Sequence, residues 1–290
     1  RAGALPNPLP ALKLARGLSR LGLAGCMSKS CDSYEKIMTK KFISQEKMKK
    51  IIADPQAGVY LLIKPKNWPS FRLVSFIRRL TGIKKVGFAG TLDPLASGLM
   101  IIATGQATKL LDLFHILPKE YEADIIFGKT SPSFDLELAT TTNESAKKFT
   151  LGELKESIAK FTGEQWQQVP IYSAVKVAGQ KLYESARRGK KVVAPKKKIN
   201  IYKIDVLRFE YPKAKILVTC SAGTYIRSLV SDLGQDLKTG AVLSDLRRTA
   251  IGDLSIKKAA KFDDLDKDKL LSSRVTEEKI IDYLNEYRAW

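Results

Sequence analysis

The grouping and alternation of apolar residues predict several β-strands in the middle of the chain. Short apolar runs at residues 59–63 and 99–103 have the length of buried strands. Residues 121–127 and 215–220 instead alternate apolar and polar side chains, the spacing of a strand with one face in the core. These four segments predict a sheet.

Helices are predicted between and after these strands. Ser70 is expected to be the N-cap of a helix that runs through residue 80. Thr150, followed three residues later by Glu153, is a capping-box pattern that predicts a helix ending near Gly163. Further helices are predicted at residues 225–237 and 277–287. Strands and helices in this mixture predict an α+β fold.

One loop is specified more tightly than any other part of the chain. Between residues 86 and 100, three glycines and Pro94 surround a single carboxylate, Asp93. Glycine permits positive φ and close backbone approach, and proline fixes φ, so this loop is expected to hold Asp93 in a defined position. An alternative is a surface turn whose Asp caps a helix or bonds to its own backbone.

Basic residues outnumber acidic ones, and the excess is clustered. The chain has 50 Lys and Arg against 30 Asp and Glu, a formal net charge of +20 over 290 residues. This excess favours a polyanionic partner, although charge also serves solubility alone. Interleaved aromatics (Trp166, Tyr172 and Tyr183) suit unstacked bases or, alternatively, core packing. The basic clusters are Lys84 with Lys85, residues 187–191, residues 196–198, and Arg247 with Arg248.

The residue inventory excludes several classes of chemistry. No stretch reaches the ~18 consecutive apolar residues of a membrane span. Three cysteines, an odd number, indicate a reducing compartment. Cys26 and Cys31 do not form a C-x-x-C pair and His115 is the only histidine, so neither a zinc site nor a Ser-His-Asp triad is expected. Carboxylate chemistry without a metal remains.

The chain is predicted to have three parts: a basic extension (1–50), one catalytic domain (51–255) and a short helical tail (256–290). Residues 1–31 contain no acid and resemble an organellar transit peptide, or are upstream sequence outside the mature domain. The basic stretch 187–198 predicts a mobile loop. The tail is shorter than the ~50 residues of an independent domain.

Seven segments, in order, resemble the TruB family of pseudouridine synthases. The loop around Asp93 is similar to that family's Gly-Thr-Leu-Asp-Pro signature, and the stretch ending in Lys64 and Pro65 is similar to the family strand before it. Together the segments span residues 58–250. The other five are residues 105–110, 119–123, 169–184, 223–227 and 246–249.

The resemblance implies a fold, an activity and partners. The fold is a mixed, largely antiparallel sheet flanked by helices, with the active cleft across it and an RNA-gripping insertion at residues 166–198. The activity is isomerisation of uridine to pseudouridine at position 55, in the T-arm of tRNA, without metal or cofactor. The expected enzyme is a cytoplasmic monomer, or an organellar one if residues 1–31 are a transit peptide. No membrane partner is expected. Many family members end in a small RNA-binding PUA domain, but the tail at residues 256–290 is expected to be too short to hold a full one.

Three residues would carry the chemistry that the resemblance implies. Asp93 would be the nucleophile at the sugar, or a base that assists elimination there. Arg227 would be its charged partner, the alternative being an ordinary arginine on a helix surface. Tyr121 would stack on the target base and help to remove its proton, the alternative being a core tyrosine.

The resemblance also implies a set of substrate-binding residues around these three. Lys64 would brace the pocket from beneath, and Leu246 would form its apolar wall or be a plain core leucine. The remaining members of the expected set are Tyr172, Lys176 and Tyr225.

The chain departs from the family pattern at three places. Phe88 occupies the position of a family histidine, and Ile63 replaces an acid that commonly precedes Lys-Pro. The family's Thr-Asp-Thr-x-Asp run keeps only its last acid, Asp135, for which a local, pocket-organising role is expected. The rival functions are a synthase acting on another RNA, either ribosomal or guide-dependent, and a non-catalytic RNA-binding protein or tRNA-folding chaperone on the same scaffold.

Overall fold

The computed structural model describes residues 46, 50–51, 53–177, 179–188 and 193–288. The extension predicted at residues 1–50 lies almost entirely outside this range. Thirteen strands occur in the described part: β1 (Gly58–Lys64), β2 (Val86–Ala89), β3 (Ser97–Thr104), β4 (Lys119–Phe127), β5 (Lys129–Thr130), β6 (Thr141–Thr142), β7 (Gly163–Gln168), β8 (Lys176–Val177), β9 (Gln180–Lys181), β10 (Lys196–Glu210), β11 (Lys213–Cys220), β12 (Ala241–Ile251) and β13 (Leu254–Ser255).

Seven α-helices connect and flank these strands in the described residues. They are α1 (Ser70–Thr81), α2 (Leu111–Ile116), α3 (Leu151–Lys160), α4 (Leu182–Arg187), α5 (Ile226–Asp236), α6 (Lys267–Ser272) and α7 (Glu277–Arg288). Two 3₁₀ turns, Gly105–Leu110 and Ile256–Lys258, accompany them.

The main sheet has nine strands in the order β1-β3-β12-β4-β11-β10-β7, with β2 also paired to β3 and β13 to β12. Its pairs are antiparallel except β12 with β3, which is parallel. Two separate hairpins, β5-β6 and β8-β9, complete the strand pairing. The predicted fold class, a mixed and largely antiparallel sheet flanked by helices, is confirmed.

The sheet is buried on both faces where β1 and β3 run side by side. Tyr60 and Leu62 pack into one apolar cluster, while Val59 and Leu61 pack into a second cluster on the opposite face. Successive side chains of a strand point to opposite faces, so a strand between two cores needs apolar residues at every position. This explains why these strands read as continuous apolar runs.

The segment after β12 packs along the outer edge of β1. The Ser273 carbonyl accepts a hydrogen bond from the Leu61 amide at 3.0 Å, and the Ala260 carbonyl accepts one from the Ile63 amide at 2.9 Å. Tyr283 of α7 is buried in the second apolar cluster. The sheet edge is therefore covered, which removes a row of unpaired backbone groups.

Two local predictions are wrong. Pro69, not Ser70, is the N-cap of α1, and Ser70 makes no cap bond because its hydroxyl is bonded elsewhere. The predicted loop at residues 187–198 is also wrong at its C-terminal end. Lys196, Lys197 and Lys198 are the first residues of β10 and pair with β7. Residues 189–192 of that stretch lie outside the described residues.

The capping box of α3 is present as predicted. The Thr150 hydroxyl accepts from the Glu153 backbone at 3.3 Å, and the Glu153 carboxylate accepts from the Thr150 backbone at 2.7 Å. Thr150→Ala is expected to lower the free energy of unfolding by about 1 kcal/mol, the usual loss for an N-cap. Urea denaturation measures it, with Glu156→Ala on the exposed face of the same helix as control. Equal stability of the two variants would contradict the cap's contribution.

Candidate active site

The loop that carries Asp93 runs from the end of β2 to the start of β3. It is held by hydrogen bonds to the first residue of α1 and to the segment just before that helix. The Ser70 hydroxyl donates to the Leu92 carbonyl at 2.9 Å and accepts from the Leu92 amide at 3.1 Å. The Asn67 amide donates to the Pro94 carbonyl at 2.7 Å. Bonds on both sides of Asp93 leave its backbone little freedom.

Lys64 lies fully buried under this loop. Its ammonium donates to the carbonyls of Pro65 at 2.9 Å, Trp68 at 2.6 Å and Pro94 at 3.2 Å. Burial lowers the pKa of Lys64 to about 8, against the opposing effect of the Asp93 charge. All three donors of the ammonium are directed at the protein's own backbone, so Lys64 is placed to support the loop from beneath.

Asp93 and Arg227 form an ion pair at the centre of the site. The Arg227 Nε lies 3.0 Å from the Asp93 Oδ2, and the arginine side chain is only 4% exposed while that of Asp93 is 41% exposed. The Nε hydrogen is not directed at the carboxylate, so the attraction is between charges without an aligned hydrogen bond. The carboxylate is thus held on one side and accessible on the other.

The Arg227 side chain is supported from behind by the segment after β5. Its Nη1 donates to the Ser133 carbonyl at 3.4 Å. The Ser133 hydroxyl donates to the Asp135 carboxylate at 2.6 Å, and Asp135 is buried. A short chain of contacts therefore connects Asp135 to the Asp93–Arg227 pair, in line with the local role expected for Asp135.

Tyr121 lies on β4 with its side chain pointing into the main apolar cluster, 9% exposed. Burial raises the pKa of Tyr121, while the Arg248 guanidinium opposes the rise and the Asp93 charge adds to it. Tyr121 and Asp93 therefore share one electrostatic environment. Leu246 of β12 is buried in the same cluster, which is consistent both with a pocket wall and with a core leucine.

Tyr225 directly precedes α5 and is fixed to β7. Its amide donates to the Gln167 side chain at 2.8 Å, and the Gln167 amide donates back to the Tyr225 carbonyl at 3.0 Å. The Arg227 guanidinium lies 5.7 Å from the centre of the Tyr225 ring. Burial raises the pKa of Tyr225. Nothing in the sequence marks Gln167, which is one of several polar residues in a row.

For the other expected residues the structure gives a position in the fold and few contacts. Tyr172 is half-buried in the loop before β8. Lys176 begins β8, and its side chain lies outside the described residues. Phe88, at the position of the family histidine, is half-buried and packs against the main cluster.

The prediction that Arg248 belongs to a basic cluster for a polyanionic partner is wrong. It is 1% exposed and donates to two backbone carbonyls, whereas Arg247 beside it is exposed. Adjacent residues of a strand face opposite sides of the sheet, so one of two neighbouring arginines points inward. Only the outward one, Arg247, is available to a polyanion.

Two family models together match most of the chain. Residues 78–226 match the N-terminal domain of the TruB family pseudouridylate synthases, and residues 227–287 match the tRNA pseudouridylate synthase B C-terminal domain. The chain belongs to the TruB family. It is therefore an enzyme of the isomerase class. Asp93 lies in the first matched range, and Arg227 is the first residue of the second.

Similar TruB-family proteins come from several bacteria. The tRNA pseudouridine synthase B of Clostridium tetani is 39% identical over 224 residues, which are 77% of this chain and 78% of that protein. The protein of the same name from Phocaeicola vulgatus is 44% identical over 199 residues, 67% of this chain and 85% of that one.

Solved structures of more distant relatives share the fold. The crystal structure of a Cbf5-Nop10-Gar1 complex contains a chain with a TM-score of 0.62 and 25% identity; the match covers 81% of this chain and 64% of that one. An H/ACA RNP bound to a substrate RNA containing 2′-deoxyuridine gives 0.59 at 24% identity, covering 78% of this chain and 61% of that one. The second likeness concerns the fold alone.

Two features are absent from the described residues. No group of three or more His, Cys, Asp or Glu side chains there could hold a metal ion. No helix within the described ranges is long and apolar enough to cross a membrane.

Proposed function

We propose that this TruB-family enzyme isomerises uridine to pseudouridine at position 55 in the T-arm of tRNA, with Asp93 as the nucleophile. Membership of the TruB family and relatives named tRNA pseudouridine synthase B support the reaction and the substrate class. The observation that carries the assignment of Asp93 is its accessible carboxylate, paired at 3.0 Å with a buried arginine in a pinned loop.

The reaction breaks the bond between the ribose C1′ and the base N1, turns the base, and forms a bond from C1′ to C5. The Asp93 carboxylate either bonds to C1′ and is displaced again, or removes a sugar proton to assist elimination. The hydrogen on C5 is lost as a proton when the new bond has formed, and N1, which left C1′ with the electron pair, takes up a proton in its place. A group must accept the proton from C5, and the Tyr121 oxygen, in its phenolate form, is our candidate.

The other expected residues are assigned to support of Asp93 or to binding of the RNA. Arg227 keeps the Asp93 carboxylate oriented, and Lys64 supports the loop from below through the Pro94 carbonyl. Leu246 supplies an apolar wall for the base. Tyr172, Lys176 and Tyr225 are assigned to contacts with the RNA around the target uridine.

A uridine in folded RNA reaches this site only if it is extruded, which costs a few kcal/mol of unstacking. The basic and aromatic residues between 166 and 198 would offset that cost. Trp166 on β7 is 63% exposed and lies opposite Lys198 of β10. An exposed indole beside a strand of lysines is suited to stacking and phosphate contact.

The stand-alone tRNA type is favoured because the insertion at 169–198 resembles that type. We also propose that the enzyme is a monomer, with a catalytic domain at residues 51–255 and a short helical tail at residues 256–290. Its proposed location is the cytoplasm, or an organelle if residues 1–31 direct import. A guide-dependent or ribosomal synthase and a tRNA-folding chaperone are the competing functions.

A short RNA hairpin of T-arm sequence distinguishes these functions. Uridine labelled with tritium at C5 releases its label when C5 joins the ribose, so release reports the chemical step. We expect release from the hairpin and from whole tRNA, and none when the target uridine is replaced by cytidine. Binding without release would support the chaperone, and release from ribosomal RNA fragments alone would support another substrate.

The strand lysines give a separate prediction about binding. Replacing Lys196, Lys197 and Lys198 with alanine is expected to weaken tRNA binding and to lower its salt dependence by roughly one slope unit for each phosphate that is no longer neutralised. Lys198 contributes least, because it also pairs with Glu164 at 2.8 Å. The single-turnover rate at saturating tRNA should change little.

The measurement is tRNA affinity across a salt series. Lys203→Ala is the control, since Lys203 lies about 20 Å farther along the same strand from Lys197 and pairs with Asp205. An unchanged salt slope in the triple variant would mean that the cluster is a solvated face.

A further inference from the structure

Arg248 lies at a junction of three functional segments. On β12 it is directly opposite Gly98 of β3 on one side and Tyr121 of β4 on the other. Gly98 is the second residue of β3 and directly follows the loop that carries Asp93. A single residue thus adjoins both the proposed nucleophile's loop and the proposed proton acceptor.

The guanidinium of Arg248 clamps the two ends of that loop. Its Nε donates to the Leu99 carbonyl at 2.7 Å, and its Nη2 donates to the Gly90 carbonyl at 2.8 Å. These carbonyls lie on either side of Asp93 in the chain. The positive charge of the guanidinium also lowers the pKa of Tyr121 against the larger effect of burial, so Arg248 acts on the Tyr121 hydroxyl electrostatically.

Two glycines on either side of Asp93 make room for this arginine. A Cβ on Gly98 would lie 2.3 Å from the Arg248 carbonyl oxygen, and a Cβ on Gly90 would lie 3.1 Å from its Nη1. Both glycines also have positive φ, +71° at Gly90 and +112° at Gly98. Gly90 therefore leaves room for the Arg248 side chain, and Gly98 lets the backbone of β12 approach closely at Arg248.

Stability alone does not account for a charge at this position. A buried ion is costly to desolvate, and an apolar side chain of similar volume often stabilises a protein as well or better. An apolar residue cannot donate to the Leu99 and Gly90 carbonyls at the same time, and a lysine cannot reproduce the planar fork of the guanidinium.

We propose that Arg248 is a positioning residue that holds the Asp93 loop and the Tyr121 hydroxyl in the relative arrangement the reaction needs. This inference rests on the proposed function. The role of Arg248 differs from that of Arg227: Arg248 holds the backbone on both sides of Asp93, whereas Arg227 faces the Asp93 carboxylate itself.

The test compares Arg248→Lys and Arg248→Met with Arg208→Met, a variant of an exposed arginine of β10 that pairs with Glu210. Single-turnover rate at saturating tRNA, tRNA affinity and thermal unfolding are measured for each, with rates taken well below the unfolding temperature. Both Arg248 variants should lose about 10²-fold in rate, the scale of a ~1 Å misplacement, with affinity changed less than about threefold. Arg208→Met should keep both the rate and the affinity. If Arg248→Met does not fold, Arg248→Lys decides.

A double variant identifies the route of the effect. If Arg248 acts partly through Tyr121, then Arg248→Lys slows a Tyr121→Phe enzyme less than it slows the wild type, because coupled residues are not additive. Arg248 variants that melt earlier but react at the wild-type rate would overturn the inference, as would full additivity with Tyr121. The proposed function would fail if the wild-type enzyme left its tRNA substrate unmodified. That result differs from the ones that overturn the role of Arg248, so the two failures are distinguishable.

Discussion

Replacing Asp93 by asparagine is expected to abolish pseudouridine formation. The substitution keeps the size of the side chain and most of its hydrogen bonding but removes the charge that attacks the sugar or takes its proton. The Arg227 partner would then face a neutral amide in the same loop. Affinity for tRNA should change by less than about tenfold, or ~1.4 kcal/mol, because most binding contacts lie elsewhere.

Asp124→Asn is the matched control for this variant. Its carboxylate is also part-exposed and paired with a cation, Lys215 at 3.3 Å, but lies three residues along β4 from Tyr121 on the other face of the strand. It should keep the wild-type rate. Near-normal turnover by Asp93→Asn would refute the assignment of the nucleophile.

The second large effect is expected for Tyr121→Phe. The ring area and its packing in the main cluster are kept, so stability and tRNA binding should remain near normal. If the Tyr121 oxygen, as the phenolate, takes the proton from C5, the chemical step should slow by about 10² to 10⁴ in the Phe variant, the range of a positioned acid–base group. Single-turnover release of tritium from C5 measures that step.

The pH dependence separates the two roles of Tyr121. Burial raises its pKa above the usual value near 10, so the hydroxyl is protonated at neutral pH and its ionised fraction grows as pH rises. A proton-accepting phenolate predicts a rate that increases with pH in the wild type and not in Tyr121→Phe. A Phe variant as fast as wild type would leave Tyr121 as a stacking platform.

The sequence predicted four of the nine strands of the main sheet, because these four carry a strong local signal. The apolar runs at β1 and β3 and the alternation in β4 and β11 all correspond to observed strands. The α3 capping box is equally local, since both partners lie within four residues. The expected juxtaposition of Asp93 and Arg227 came from a resemblance, because no local pattern links residues so far apart in the chain.

The failures share one cause, which is that tertiary contacts outside the local sequence window decide the outcome. Ser70 has the right residue type for an N-cap, yet its hydroxyl is used by the Leu92 backbone, a partner that no window around residue 70 contains. Arg248 is one of a basic pair in the sequence, and only strand pairing determines which of the two points inward. Lys196 to Lys198 have loop-like composition, but the pairing with β7 makes them a strand.

The central claim is that this enzyme uses Asp93 to isomerise one uridine of the tRNA T-arm. The most direct measurement is a pseudouridine map, at single-nucleotide resolution, of an unmodified tRNA transcript incubated with wild type, Asp93→Asn or Asp124→Asn. The account predicts pseudouridine at position 55 with wild type and Asp124→Asn, and none with Asp93→Asn. An unmodified transcript after incubation with wild type, or equal modification by Asp93→Asn, would contradict it.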